Sequence, residues 1–344
     1  MHILLVKVSS MGDLIQALPA ITDAQRAIPE LKIDWVVENS FTDVPKLHPG
    51  INRIITVAYR QWRETLKRGR YPQGAFDFLR ELRQQRYDRV VDAQSNTKSA
   101  LISLLSRGLR IGVEKSCAHE AFIHWAYQQR ISAALSLHHV TRMRTLFANA
   151  LGYTLPDTFP DYGIRVDYLP QIDVDLPERY AFITHTASRA YKLWPQASWE
   201  TVIDDIYHRY GLHAVLPWHS EQELALCQAL AKGRAHVTIL PACNLREKAR
   251  VVAGAALAIG TDTGLSHLAA AMRIPNVVMY GPMPPEKVGT MGAIQRHLVD
   301  SVSDCVPCER SRCQFAATAV QYHQCMRNIT PMSVNAAVAD LLAD

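Results

Sequence analysis

The chain has 344 residues, too many for one ordinary core and enough for two domains of about 150 residues each. A hydrophobic share of 48% and a charged share of 20%, with no apolar run near the roughly 18 residues of a membrane-spanning helix, describe a globular protein and exclude a disordered or membrane-spanning one. The net charge of +5 is modest, and no helix-turn-helix, RNP or zinc-finger spacing accompanies it, so nucleic acid is not an expected partner.

The apolar start, Ile3 to Val6, runs straight into Lys7 and is followed by no small-residue cleavage site, so the expected location is the cytoplasm. Strand and helix signals then alternate. "HILLVKV" (His2 to Val8), "KIDWVVE" (Lys32 to Glu38), "INRIITV" (Ile51 to Val57) and "DRVVDAQ" (Asp88 to Gln94) are short apolar runs. Between most of them lie helical periods such as Leu14, Leu18, Ile21 and Gln25. Such alternation builds parallel βαβ units. A helix over His138 to Leu151 closes this half, and a stretch rich in Pro, Asp and Gly from Gly152 to Glu178 reads as the linker. The pattern restarts with strands at Tyr180 to Ala187, His213 to Trp218, Val237 to Leu240, Ala256 to Asp262 and Asn276 to Gly281. Helices are expected at Ser198 to Tyr210, Ser220 to Lys232 and Leu245 to Ala255. The expectation is an α/β protein of two doubly wound domains facing a central cleft, one substrate to each half. Its parts are an N-terminal domain over 1–165, a second domain over 178–330 and a C-terminal helix over 331–344.

The first loop decides which chemistry to look for. "VKVSSMGDLIQALPAI" begins as a strand, pauses at small and polar residues and continues as a helix. It lacks both G-x-G-x-x-G and G-x-x-x-x-G-K-[ST], which removes the main support for a nicotinamide dehydrogenase or a P-loop ATPase. Ser9, Ser10 and Gly12 permit a close turn, and Asp13 stands where the helix begins. Two roles are open to it. An Asp at this place can simply cap the helix, and a carboxylate at a strand's carboxyl end is equally placed to act as a general base on a substrate hydroxyl. In the second half, "THTASRAYKLWP" offers Ser188, Arg189 and Lys192, and "GTDTGLSHLAAA" offers Asp262, Thr263, Gly264 and His267 around a helix start. A helix N-terminus beside an ammonium suits a diphosphate, hence a nucleotide-sugar donor. Taken singly, Lys192 is a surface lysine and His267 an ordinary helix histidine. The segment Tyr59 to Gln73 sets Arg60, Arg63, Lys67, Arg68 and Arg70 against one acid, Glu64, which is either a solvated surface or a site for an anionic membrane or substrate.

These motifs, with "VVDAQSNTKSAL" and "VVMYGP", resemble the ADP-heptose:lipopolysaccharide heptosyltransferases of glycosyltransferase family nine, the heptosyltransferase I branch above all, over nearly the whole chain to about Pro282. The resemblance implies a GT-B fold of two Rossmann-like domains, N-terminal for the acceptor and C-terminal for the ADP-sugar. It implies an inverting transfer of L-glycero-D-manno-heptose from ADP-heptose to a Kdo residue of lipid A, with no cofactor needed for catalysis and a peripheral place on the cytoplasmic face of the inner membrane. By the same resemblance Asp13 is the catalytic base. Ser188, Lys192, Glu223, Asp262, Thr263, Gly264 and His267 bind the donor, with Glu221 a rival to Glu223 for the ribose. Ser10, Gly12, Arg60, Arg63 and Lys98 bind the acceptor, Trp62 lying at the membrane interface. Two positions depart from the family pattern: Ala187 replaces a hydroxyl residue and Gln61 a basic one. Related acceptors, a second core heptose or a protein serine or threonine, fit the same motifs. So does a nucleotide- or glycan-binding protein without turnover, though that would have no need of Asp13.

The tail is a separate matter. Seven cysteines make a disulfide framework unexpected, and four of them, Cys305, Cys308, Cys313 and Cys325, follow a C-x2-C-x4-C-x11-C spacing with His323 near the last. They are expected either to hold a structural zinc or iron or to be reduced, unligated thiols.

Overall fold

In the computed structural model, which describes residues 1–118, 120–310, 313 and 323–343, the chain folds as two compact units, Met1–Arg165 and Val166–Asp344. The first contains β1 (His2–Val6), α1 (Met11–Ile15), α2 (Leu18–Ala27), β2 (Lys32–Glu38), β3 (Ile51–Val57), α3 (Tyr59–Lys67) and α4 (Ala75–Leu82). It continues with β4 (Arg89–Asp92), α5 (Thr97–Leu105), β5 (Leu109–Val113), β6 (Gln129–Ile131) and α6 (His139–Leu151). All pairings are parallel, in the order β3-β2-β1-β4-β5-β6. A parallel sheet is covered on both faces, and the near-continuous apolar runs of β1 and β2 follow from that. On one face Phe78 and Leu82 of α4 and Ile102 of α5 meet Leu4, Val6, Ile55 and Val90 from the strands. The helix expected after β1 is broken into two. Pro19 stands at the second position of α2, where its missing N–H costs nothing, whereas in one continuous helix it would forfeit the bond to Ile15.

The second unit contains β7 (Tyr180–Thr184), α7 (Gln196–Tyr210), β8 (His213–Leu216), α8 (Glu221–Ala231), β9 (Val237–Ile239), α9 (Leu245–Ala253), β10 (Leu257–Thr261) and α10 (Gly264–Ala271). After these come β11 (Asn276–Tyr280), α11 (Pro285–Val288), β12 (Gln295–Val299), α12 (Gln324–Arg327) and α13 (Pro331–Ala343). Its sheet runs β12-β11-β10-β7-β8-β9, again parallel. Counted from each unit's own first strand, both sheets therefore have the doubly wound order 3-2-1-4-5-6. Trp194, Trp199, Ile203 and Ile206 anchor the core beneath β7 and β10, and α13 joins it through Val334, Val338 and Leu341.

That shared order fixes where ligands can go. Winding reverses between the first and fourth strands, and loops leaving those two strands diverge to open a crevice. In the first unit they are the loops after β1 and β4, which carry Ser9 to Asp13 and Gln94 to Lys98. In the second they follow β7 and β10, carrying Ser188 to Lys192 and Asp262 to Gly264.

Candidate active site

In the first unit the turn after β1 is pinned from below. Gln94 Oε1 accepts the backbone N–H groups of Val8 at 2.9 Å and Ser9 at 3.1 Å. Ser10 is the N-cap of α1, and Asp13, three residues on, reaches back: its Oδ2 accepts from Ser10 N at 2.8 Å and from Ser10 Oγ at 2.6 Å. Both roles open to Asp13 thus meet in one side chain, since Oδ2 completes a capping box while Oδ1 accepts no hydrogen bond among the described residues. Oδ1 lies 3.9 Å from His139 Nδ1, and His139 Nε2 lies 3.2 Å from the ammonium of buried Lys7. Burial works to raise the Asp13 pKa, but Lys7, His139 and the two Ser10 hydrogen bonds outweigh it and hold the carboxyl well below the usual carboxylate range. The group is a ready anion at neutral pH.

Beside this turn a cavity of about 470 Å³ is lined by Val8, Ser9, Glu38, Tyr59, Arg60, Asn96, Thr97, Lys98 and Glu120. Of the predicted acceptor residues, Arg60 and Lys98 line it, and Ser10 and Gly12 belong to the adjoining turn. Arg63 lies one turn further along α3, is exposed and falls outside the lining. Arg60 is placed over the Phe41 ring at 5.6 Å and Lys98 over Tyr59 at 5.6 Å, while the Tyr59 hydroxyl donates to the Lys98 carbonyl at 3.0 Å. Glu38, which sequence reasoning passed over, sits among these cations with its pKa raised by burial and lowered less by Arg60 and Lys98. Trp62 is half-buried: it packs against Tyr59 and Phe78 and the core, because the apolar side of α3 has the sheet to cover.

In the second unit Lys192 Nζ donates to the Asp262 carbonyl at 2.9 Å and to its Oδ2 at 2.5 Å, and His267 Nε2 stands 3.5 Å from Oδ1. Burial works to raise the Asp262 pKa, and His267 and Lys192 together bring it below the ordinary value. Two of the three ammonium protons of Lys192 are thereby engaged, leaving one for a ligand. Thr263 is the N-cap of α10, but its Oγ1 lies 3.5 Å from Ser266 Oγ instead of on a helix amide, so the first-turn N–H groups from Gly264 onward keep no side-chain cap. The start of α10 is held by Ser266 Oγ, which donates to Thr261 O at 2.7 Å and pairs with Thr184 Oγ1 at 2.8 Å. Gly260 is required for that approach, since a Cβ there would fall 1.5 Å from Thr184 Oγ1. Ser188 is exposed in the β7 loop with half-buried Ala187 before it. Glu223, in the first turn of α8, is half-buried and accepts from His219 N at 2.7 Å, whereas Glu221 is exposed. Its charge reaches inward: together with burial it helps raise the Cys227 thiol to about 12.

The structure thus brings Lys192, Asp262, Thr263, Gly264 and His267 together in one unit and Asp13, Ser10, Gly12, Arg60 and Lys98 in the other. Sequence reasoning missed Lys7 and His139. An ionisable residue lodged between Val6 and Val8 in a buried run was a signal for the first, while His139 shows itself only once α6 is folded.

The metal alternative for the cysteines finds no support. Among the described residues no three or more His, Cys, Asp or Glu side chains gather as a metal would require, and Cys305, Cys308, Cys313 and Cys325 are free thiols. Cys325 is buried in the core with Met326, and its thiol is pushed up to about 11 by burial first, with Asp300, Cys308 and Cys313 adding to it. Positions 311–312 and 314–322 of this segment lie outside the described residues. No step below passes through a metal.

The Escherichia coli heptosyltransferase WaaC, solved with ADP, superimposes with a TM-score of 0.84 at 34% identity, 99% of each chain being covered. With two parallel sheets of one winding order and a site at each switch point, this makes the protein a glycosyltransferase of the GT-B fold. A family model described as glycosyltransferase family 9 (heptosyltransferase) matches residues 75–319. Lipopolysaccharide heptosyltransferase 1 of E. coli strain K12 is 40% identical over 296 residues, 86% of this chain and 92% of its own. The Pseudomonas aeruginosa protein of that name is 38% identical over 323 residues, 92% of this chain and 89% of its own. The chain belongs to glycosyltransferase family 9, the heptosyltransferases.

Proposed function

We propose that the protein carries out the heptosyltransferase 1 reaction of lipopolysaccharide core assembly, moving L-glycero-D-manno-heptose from ADP-heptose to a Kdo residue of lipid A with inversion. The observation that carries this is Asp13: an ionised carboxylate with one oxygen held by Ser10 and the other uncommitted, beside a pocket bearing Arg60 and Lys98. Asp13 takes the proton of the acceptor hydroxyl as that oxygen forms its bond to the anomeric carbon. The bond from that carbon to the diphosphate breaks, and ADP departs with the electron pair. Arg60, Lys98 and, further out, Arg63 meet the acceptor's carboxylates and phosphates, with Ser10 and Gly12 shaping the turn beneath.

The ADP-sugar belongs to the second unit. Lys192 and the amides at Thr263 and Gly264 take the charge gathering on the leaving diphosphate, with Ser188 as a further hydroxyl donor. Asp262 and His267 hold Lys192 in place, and Glu223 takes the ribose hydroxyls. WaaC, similar over the whole chain, was solved with ADP, which supports a donor of that class. The acceptor's lipid implies work at the cytoplasmic face of the inner membrane. The exposed row Arg63, Lys67 and Arg68, with Leu66 and Tyr71 exposed beside it, fits an anionic bilayer surface, and no described helix is long and apolar enough to cross one.

The test is mass spectrometry of heptose-free Kdo–lipid A after incubation with ADP-heptose. One added heptose is the expected product. A bound but unconsumed nucleotide sugar would transfer the search to other acceptors, and unchanged product with Asp13→Ala would remove the base.

A further inference from the structure

Lys7 ends the first strand's run with its side chain turned into the protein, only 2% of the residue exposed. Its own carbonyl is fixed by the Trp35 indole N–H at 2.8 Å, so the backbone has little freedom to carry the ammonium elsewhere. A buried ammonium is costly unless a charge or a built partner meets it. What meets it is His139, at 3.2 Å from Nζ to Nε2, and behind His139 stands Asp13. An ammonium has only protons to give, so Nε2 of the imidazole must accept, which places the ring proton on Nδ1, the nitrogen facing Asp13 Oδ1. The chain of polarity therefore runs Lys7 to His139 to Asp13 in one direction.

We infer that Lys7 and His139 are a positioning pair for Asp13, which keeps it ionised and its Oδ1 aimed when an anionic acceptor enters the pocket. The inference rests on Asp13 being the base. An arriving carboxylate or phosphate would by itself favour protonated Asp13, since like charges close together cannot both stay ionised. A cation held beyond His139, 3.2 Å from its Nε2, offsets that pressure. His139 is the spacer: as a neutral imidazole it passes the field forward while keeping the ammonium from closing on Oδ1 as a salt bridge. Burial lowers the Lys7 pKa, and Asp13 works to raise it. Two other charges bear on it, Arg142 of α6 against its protonation and Asp92 at the end of β4 in favour. Both have partners of their own, Arg142 the carbonyls of Ala133 and Cys117, Asp92 the Tyr127 hydroxyl and the amides of Gln94 and Ser95. Burial first and the Lys7 charge next work against protonation of His139, with Arg142 and His138 adding less, which keeps the spacer neutral.

The experiment is the dependence of kcat on pH for wild type, Lys7→Met, Lys7→Arg, His139→Gln and Asp13→Asn, with ADP-heptose and a soluble Kdo acceptor, each variant's melting curve recorded alongside. Wild type should lose no activity to Asp13 protonation down to the lowest pH the fold tolerates. Lys7→Met should acquire an acid limb displaced upward by about 1–3 pH units, the range over which one nearby charge moves a carboxylate. Its KM for ADP-heptose should be unchanged, and Lys7→Arg should move the limb back. Should Lys7→Met fail to fold at the assay temperature, His139→Gln carries the same test with a neutral side chain of similar length, and its limb should also move upward. A kcat lowered equally at every pH, with no limb displaced, would make the pair structural and overturn the inference. Full activity of Asp13→Asn would instead overturn the base itself, a separate result.

Discussion

Each unit builds its site from an aspartate, a histidine and a lysine, and the two sets are wired in opposite order. In the first, Lys7 is the buried member at 2% exposure and Asp13 the outer one, its side chain 37% exposed. In the second, Asp262 is buried, its side chain 8% exposed, and Lys192 is the outer member at 21%. The histidine stands between the two charges in the first unit, whereas in the second it shares the carboxylate with the lysine. Nothing in the residue types distinguishes the sets. What differs is which charge faces solvent, and under the proposed function that divides the chemistry: an outward carboxylate is suited to take a proton, and an outward ammonium to take a phosphate. In the second unit the inner Asp262 fixes the outer Lys192 ammonium by hydrogen bonds.

The sharpest way to break this comparison is to remove each outward group. Asp13→Ala should cut turnover by roughly 10²-fold or more, the scale of a lost general base, with ADP-heptose affinity intact by calorimetry. Weaker donor binding there would place Asp13 on the phosphate instead. Lys192→Met should do the reverse, weakening the donor by about 10- to 100-fold, as expected for a charged hydrogen bond to phosphate, at a kcat reduced less than in Asp13→Ala. If both variants fail in the same kinetic constant, the division of labour between the units is wrong.

How much of this was legible beforehand varied with the physics. The doubly wound class was readable because strands buried on both faces have to be largely apolar, and residues 3–6 of β1 and 35–37 of β2 announce themselves that way. Three strands were silent. β5 carries Arg110 and Gly112, the latter because the Tyr127 ring lies 2.4 Å from where its Cβ would be; β6 is three residues long; and β12 is a half-buried edge reading Gln-Arg-His-Leu-Val. The second unit's site was legible as a motif, since "GTDTG" and Lys192 are near neighbours of the turns they serve. Half of the first unit's site was not. Lys7 and His139 lie 132 positions apart, and only the docking of α6 against α2 and β5 makes them partners. The cysteine spacing could not choose between metal ligands and free thiols, because nearness in sequence does not fix where side chains converge; the fold buries Cys325 in a core.

Acid should test whether the two units answer alike. Burial holds His48 in the first unit and His185 in the second at about 4, below the ordinary histidine value. A folded pKa lowered in this way means that the unfolded chain takes up a proton the folded one refuses. Stability is then complete above about pH 6.5 and is lost as pH falls from there toward 4. Each histidine should subtract about 2 kcal/mol between about pH 7 and pH 5. Melting curves across that range for wild type, His48→Gln and His185→Gln check it: each variant should flatten the slope by a similar share, and an unaltered slope in either would exempt that unit.

The smallest effect separates the two helix starts. Ser10 and Thr263 hold the same N-cap position in their units, yet only Ser10 belongs to a closed capping box. Ser10→Ala removes the hydroxyl donated to Asp13 Oδ2 but keeps the backbone N–H, so it should cost about 1 kcal/mol of stability and lower kcat only a few-fold. Thr263→Ala removes a hydroxyl that caps nothing, so melting should hardly move while donor affinity falls, the hydroxyl being there for the ligand. Equal losses of stability in the two variants would mean that Thr263 caps its helix in solution after all, and the amides at the start of α10 would then have a protein partner where the donor diphosphate is placed.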